Sequence, residues 1–318
     1  MIDTHAVAAT FENRSQKYGT SIASGVEVAS MPAPNNVPRR WFPAISISAV
    51  LVLAAALTLT PEPPSAAAQS METGRFVWRD LLSKDVGAAK RFYEQLFGWR
   101  FEDATRGDRP YVLARAGGML VAGIVDVSAN ADAAPQWLSY MAVADVDKTL
   151  DLVRADGGKV LVEPRNLPIA RVAAVADPQG APLGLAQLRK DIHEPAQAAA
   201  GQFFWQEYLA RDATQALGFY KRLAGYESSI SDSRLGVEYH VLRKARSCGG
   251  LFQLPATADV RPNWLPYVLV DDPAALSARV ASLGGSILVP AAPERRNGSL
   301  VVIADPGGAP LALQKYPF

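Results

Sequence analysis

Four aspartates are each followed thirteen positions later by a glycine: Asp85 and Gly98, Asp145 and Gly158, Asp212 and Gly225, Asp272 and Gly285. The aspartates stand 60, 67 and 60 residues apart, so one unit is used four times, in two pairs. Each interval reads as a single helix. An aspartate carboxylate accepts the orphan amide hydrogens of a first turn, and a glycine takes the left-handed conformation that ends a helix cheaply. Apolar, alternating stretches precede each aspartate (WRDLLSKD, LSYMAVAD, WQEYLARD, LPYVLVDD) and read as strands, with further strand-like runs after each glycine.

The two pairs are themselves copies. Residues 74–190 align with residues 201–318 at an offset of 127, moving to 128 near the end. FVWRDLLSKDVGAAKRFYEQLFGW lies over FFWQEYLARDATQALGFYKRLAGY, and VAAVADPQGAPLGLAQ over LVVIADPGGAPLALQK. Trp78 matches Trp205, Asp80 matches Glu207, and Phe92-Tyr93 match Phe219-Tyr220. The polar, alanine-rich stretch 191–200 between the copies reads as a linker. In the first helix Ala89, Phe92, Tyr93, Leu96 and Phe97 follow the one-face template. One module therefore offers a helix and about four strands, an α+β unit whose helix covers one face of its sheet. The other face needs a partner. Two modules facing each other would bury it and leave a cleft, the natural place for a small molecule.

Residues 1–38 are polar and without periodicity and read as a disordered leader. Residues 39–69 read as a signal peptide or membrane anchor. Arg39-Arg40 is followed by an uncharged apolar run from Ala44 to Leu59, then by prolines and Ser65-Ala66-Ala67-Ala68. Cleavage is expected after Ala68, giving an exported protein, periplasmic or extracellular. The alternative is anchoring through residues 44–60, although the run is short for a span. No cysteine near the site permits a lipoprotein anchor. The stretch from Arg39 to Phe42 loosely resembles a twin-arginine signal, and Met31 is an alternative start.

With 32 basic against 31 acidic residues, the formal net charge of +1 gives no nucleic-acid footprint. Cys248 is the only cysteine, so the chain has no internal disulfide. No serine triad, phosphate loop or dinucleotide fingerprint appears.

Paired strand–helix–three-strand modules, with DxxxAxxFYxxLFGW near the start and DPxGAPxxL near the end, resemble the vicinal oxygen chelate superfamily. That group includes glyoxalase I, bleomycin-resistance proteins and extradiol dioxygenases. The resemblance covers residues 74–318 in two copies. It implies two tandem domains (74–190 and 201–318), each built from two βαβββ modules whose curved sheets enclose a cleft. A divalent metal is the default cofactor of the group. Its usual ligand positions fall here on Trp78, Leu138 and Gly184, and on Trp205, Leu265 and Ala312. None supplies an imidazole, carboxylate or thiolate, so no metal is expected. His240 is the one histidine inside a domain and reads as a non-ligand. Displaced carboxylates, Asp80 and Glu207, are the remaining route to a metal site.

Strand alternation puts Trp78, Asp80 and Leu82 on one face, and Trp205, Glu207 and Leu209 on the matching one. If these faces line the clefts, Trp78, Tyr111 and Tyr140 are ligand-binding candidates in one, and Trp205, Tyr239 and Tyr267 in the other. Aromatic faces beside one acid suit a planar or cationic organic ligand. Asp80 and Glu207 are the catalytic candidates, as general bases with pKa values raised by the apolar surroundings. The competing readings are tryptophans that merely fill a cavity and carboxylates paired with an arginine such as Arg75 or Arg79. The leading expectation is a metal-free binder of a small molecule, monomeric or homodimeric. The alternatives are a superfamily enzyme, acting through these carboxylates or through atypical metal ligands, and a structural or partner-binding protein with filled clefts.

Overall fold

The computed structural model describes residues 73–106, 109–189, 197–232, 238–244, 246–293 and 295–316. The stretches read as a leader and as a signal or anchor, and most of the stretch read as a linker, lie outside the described residues, among which no helix is long and apolar enough to cross a membrane.

Four modules follow one another. The first is β1 (Phe76–Ser83), α1 (Val86–Phe97), β2 (Arg100–Arg106), β3 (Arg109–Ala116) and β4 (Met119–Asp126). The second is β5 (Gln136–Ala142), α2 (Val146–Ala155), β6 (Lys159–Asn166), β7 (Ala170–Ala176) and β8 (Pro182–Leu188). The third is β9 (Phe203–Ala210), α3 (Ala213–Ala224), β10 (Glu227–Asp232), β11 (Tyr239–Lys244) and β12 (Arg246–Gln253). The fourth is β13 (Asn263–Leu269), α4 (Pro273–Val280), β14 (Ser286–Val289), β15 (Leu300–Ala304) and β16 (Pro310–Gln314).

All four aspartates cap helices as the spacing predicts. Asp85, Asp145, Asp212 and Asp272 accept from the backbone amides of Ala88, Lys148, Gln215 and Ala275 at 2.8, 3.1, 2.8 and 2.9 Å. The glycine half of the repeat needs a correction. Gly98 and Gly225 are left-handed as expected, with φ of 71° and 72°. In the second and fourth modules the left-handed residue is one earlier, Gly157 and Gly284. Gly158 and Gly285 are glycines for lack of room: a Cβ there would sit 2.7 Å from the carbonyl oxygen of Ala176 and 2.6 Å from that of Ala304.

The modules of a pair do not oppose each other as two separate sheets. They join edge to edge through antiparallel β1–β5 and β9–β13 ladders, giving two eight-stranded sheets ordered β2-β3-β4-β1-β5-β8-β7-β6 and β10-β11-β12-β9-β13-β16-β15-β14. Each sheet curls. Leu113 on β3 and Val172 on β7, near opposite ends of the first sheet, share one concave core with Trp78, Tyr111 and Tyr140. The second sheet does the same around Tyr239, Tyr267 and Leu300.

The helix-bearing faces pair across the two copies. Leu81, Ala89, Phe92 and Leu96 of the first module pack with Val280, Val301 and Ile303 of the fourth. Leu150 and Val153 of the second pack with Phe219 and Tyr220 of the third. Two motifs that are far apart in sequence meet in this seam. In each FY pair the tyrosine hydroxyl donates to the aspartate of the other copy's DPxG turn: Tyr93 to Asp305 at 3.2 Å and Tyr220 to Asp177 at 2.9 Å. Tyr208 also donates to Asp177, at 2.5 Å. The second oxygen of each carboxylate closes its own turn by accepting from Ala309 or Ala181.

Burial raises both Asp177 and Asp305 above the ordinary 3.8, outweighing the amide and hydroxyl donors that lower them. A carboxyl whose folded pKa is raised contributes stability that is full below its unfolded pKa and is lost as pH rises through the folded one. The seam should therefore gain stability as pH falls from neutrality toward about 4. Urea midpoints across that range, compared with the Asp177→Asn/Asp305→Asn variant, should show the wild type improving relative to the variant on acidification. A relative loss would mean that the seam needs both groups as anions.

Candidate ligand cleft

Each concave face carries one buried carboxylate near its centre, placed by the central strands β1 and β9. Asp80 on β1 lies opposite Leu138 of β5 and beside Gly123 of β4. Its Oδ1 accepts from the Trp78 indole N–H at 2.9 Å and the Tyr111 hydroxyl at 2.7 Å, and its Oδ2 accepts from the Tyr140 hydroxyl at 2.9 Å. The structure thus brings together, around one carboxylate, the four residues that the sequence singles out in this copy. Trp78 is only 8% exposed, and Asp80, Tyr111 and Tyr140 are buried.

Glu207 on β9 is held similarly by the hydroxyls of Tyr239, at 2.8 Å, and Tyr267. Burial and the Glu207 carboxylate raise the pKa of both tyrosines well above the usual phenol value, so both hydroxyls stay protonated donors. Trp205 differs from Trp78. Its indole N–H donates to the Tyr239 hydroxyl at 3.2 Å and its ring is half-buried.

A residue absent from the sequence expectations completes this second cluster. Arg296 forms an ion pair with Glu207, donates to Gln314 Oε1 at 2.7 Å and lies 5.2 Å over the Tyr267 ring. Burial lowers its pKa, but the adjacent Glu207 charge outweighs that and holds it above the ordinary guanidinium value. Arg296 and Asn297 have φ of 46° and 54° and are the only non-glycine residues at positive φ among the described residues. Such backbone is uncommon for side chains other than Asn and Asp. A loop arginine inside ERRNG carries no periodic signal. The adjacent Asn-Gly turn was the one hint of an unusual backbone.

The competing reading, a carboxylate paired with an arginine, holds for Glu207 through Arg296, while Arg79 behaves otherwise. Arg79 points to the seam between the copies, 5.1 Å over the Phe203 ring, with its pKa lowered to about 9 by burial and the nearby Arg75. His240 alternates with Tyr239 and so faces away from the concave core, where burial lowers its pKa and Glu238, 3.5 Å away, partly restores it.

Strict alternation also fails at one point per copy. The β1–β5 register slips between Phe76 and Trp78, and the β9–β13 register between Phe203 and Trp205. Such a bulge turns two consecutive residues to one side. Phe76 and Phe203 pack in the helix-side cores, while Val77 with Trp78, and Phe204 with Trp205, join the concave ones.

The positions where the superfamily holds metal can be tested on these residues. Trp78, Leu138 and Gly184 in the first copy, and Trp205, Leu265 and Ala312 in the second, have no donor side chain for a divalent ion. At Gly184 the space for a ligand side chain is taken: a Cβ would lie 2.4 Å from the Tyr140 ring. Among the described residues no three His, Cys, Asp or Glu side chains gather into a metal-binding group. The residues present do not fit the metal.

A family model described as Glyoxalase/Bleomycin resistance protein/Dioxygenase superfamily matches residues 75–185. The chain is 33% identical over 243 residues to "Putative glyoxylase CFP32" of Mycobacterium tuberculosis (strain CDC 1551 / Oshkosh), covering 75% of this chain and 93% of that protein. It is 31% identical over 254 residues to "Anthracycline biosynthesis protein DnrV" of Streptomyces peucetius, covering 74% and 91%. The Mn(II)-bound glyoxalase from Novosphingobium aromaticivorans shares the fold, with a TM-score of 0.50 at 15% identity over 77% of this chain and 82% of that one. The chain belongs to the glyoxalase/bleomycin resistance protein/dioxygenase superfamily.

Proposed function

We propose that this protein is an exported member of the superfamily that binds a small planar aromatic molecule without a metal ion. The observation that carries the reading is the treatment of the metal positions. Where a metal would need donors, each cleft has an indole and aliphatic or glycine positions, and tyrosyl hydroxyls close on the one carboxylate. What remains for a ligand is aromatic surface, which takes a flat ring by stacking at little rotamer cost. The anthracycline biosynthesis named for the Streptomyces peucetius relative supports the same ligand class, since anthracyclines are planar polycyclic quinones.

General-base chemistry through Asp80 or Glu207 is less well supported. Both carboxylates are buried, and Glu207 is bound into an ion pair. A base must lie within hydrogen-bond reach of the proton it takes.

Two measurements test the reading on the purified full chain. Elemental mass spectrometry should find substoichiometric metal, and 1,8-dihydroxyanthraquinone should saturably quench tryptophan fluorescence in the presence of a chelator. Stoichiometric metal, with quenching abolished by the chelator, would make a metal-dependent enzyme the better account. Export is tested separately: mature protein isolated from the producing cells should begin at Gln69.

A further inference from the structure

The two clefts are copies in sequence but differ at their rims. In the first copy Trp78 folds down onto Asp80 and Tyr111, with N–H distances of 2.9 and 3.1 Å, and is buried. Its bulge neighbour is Val77. In the second copy Arg296 occupies the floor beside Glu207, and Trp205 stands off, with its N–H on Tyr239 and its ring half-buried. The bulge neighbour there is Phe204, also half-buried on the concave side, 6.4 Å from Tyr267 and edge-on to it. The second copy thus presents two adjacent aromatic rings with accessible surface, above a floor whose Glu207 and Arg296 charges cancel. The first presents a valine and a tryptophan engaged with its own carboxylate.

We propose that the two clefts have divided their roles. The second, through Phe204 and Trp205, binds an uncharged planar aromatic molecule, and the first is filled by its own side chains and serves as scaffold. Positive φ at Arg296 and Asn297 fits this division, because unfavourable backbone persists where the surroundings over-determine it, and such residues cluster at ligand sites. A charge-neutral floor favours a ring without net charge, since an ionic ligand would be desolvated there without a counter-charge of its own.

This inference rests on the binding reading above and is narrower than it. Equilibrium dialysis of the full chain against 1,8-dihydroxyanthraquinone gives stoichiometry and affinity without relying on tryptophan emission. One molecule per chain is expected. Trp205→Phe and Phe204→Val, which copies the valine of the first cleft, should each weaken binding several-fold or more. Val77→Phe should leave it within about twofold, a difference of under half a kcal/mol. A cooperative thermal transition for each variant checks folding. Phe204→Val and Val77→Phe decide the matter if Trp205→Phe misfolds. Two molecules per chain, or loss with the Val77 change alone, would overturn the division of roles while leaving the binding reading in place. No binding by the wild type would remove both.

Discussion

Arg296→Ala should destabilise the second copy by about 3–5 kcal/mol at neutral pH, the range for breaking a buried ion pair from one side. Glu207 is 1% exposed and Arg296 is 4% exposed, so neither charge can be rescued by solvent. Removing the guanidinium leaves the Glu207 carboxylate with the hydroxyls of Tyr239 and Tyr267, and leaves Gln314 without the donor that reaches it at 2.7 Å. The pH dependence distinguishes this cause from simple loss of packing. In the variant a buried charge without its partner is costly only while it is a charge, so the penalty is largest at neutral pH and shrinks in acid. Urea unfolding of wild type and variant at neutral and mildly acidic pH should therefore converge toward the acid side. The paired change Glu207→Gln/Arg296→Met should recover much of the loss, because well-packed neutral groups often replace a buried ion pair at little cost. A single variant that loses under about 1 kcal/mol with no pH dependence would mean that the pair contributes nothing net.

How much of this was legible in the chain follows from which interactions leave a periodic trace. The caps, the modules and the duplication were legible because local chemistry repeats four times. Asp85 must accept from Ala88 whatever its tertiary surroundings. The Trp–Asp–Tyr cluster was legible because alternation puts Trp78 and Asp80 on one face and the family resemblance points that face inward. Three features were not. The edge-to-edge joining of modules depends on pairing between β1 and β5, strands sixty residues apart, which no local pattern specifies. The bulges that add Phe204 to the concave face are one-residue register slips, invisible to a two-residue period. Arg296 reaches Glu207 from 89 positions away through a left-handed backbone. The FY and DPxG motifs were both visible, but as separate signals. Only the seam between the copies shows that one supplies the hydroxyl and the other the acceptor.

Gly123→Ala should cost roughly 3–5 kcal/mol, although it adds a single methyl group on a strand. Parallel pairing sets Gly123 directly beside Asp80, and a Cβ there would lie 1.6 Å from the Tyr111 hydroxyl and 2.6 Å from Asp80 Oδ1. Neither partner can give way cheaply. Moving the Tyr111 ring withdraws a donor from a buried carboxylate, and moving Asp80 also disturbs its bonds from Trp78 and Tyr140. The cost therefore combines overpacking with an unsatisfied buried group, two penalties that usually occur apart. Gly250→Ala should behave alike in the second copy, where the Cβ would lie 1.9 Å from the Tyr239 hydroxyl. A double-mutant cycle isolates the cause. Tyr111→Ala deletes both the obstructing ring and one donor, so Gly123→Ala should cost much less in that background than alone, a coupling of well over 1 kcal/mol. Chemical denaturation of the four proteins measures it. Additive effects would show that the glycine is required for some property of β4 itself, and would separate the carboxylate cluster from the strand register that presents it.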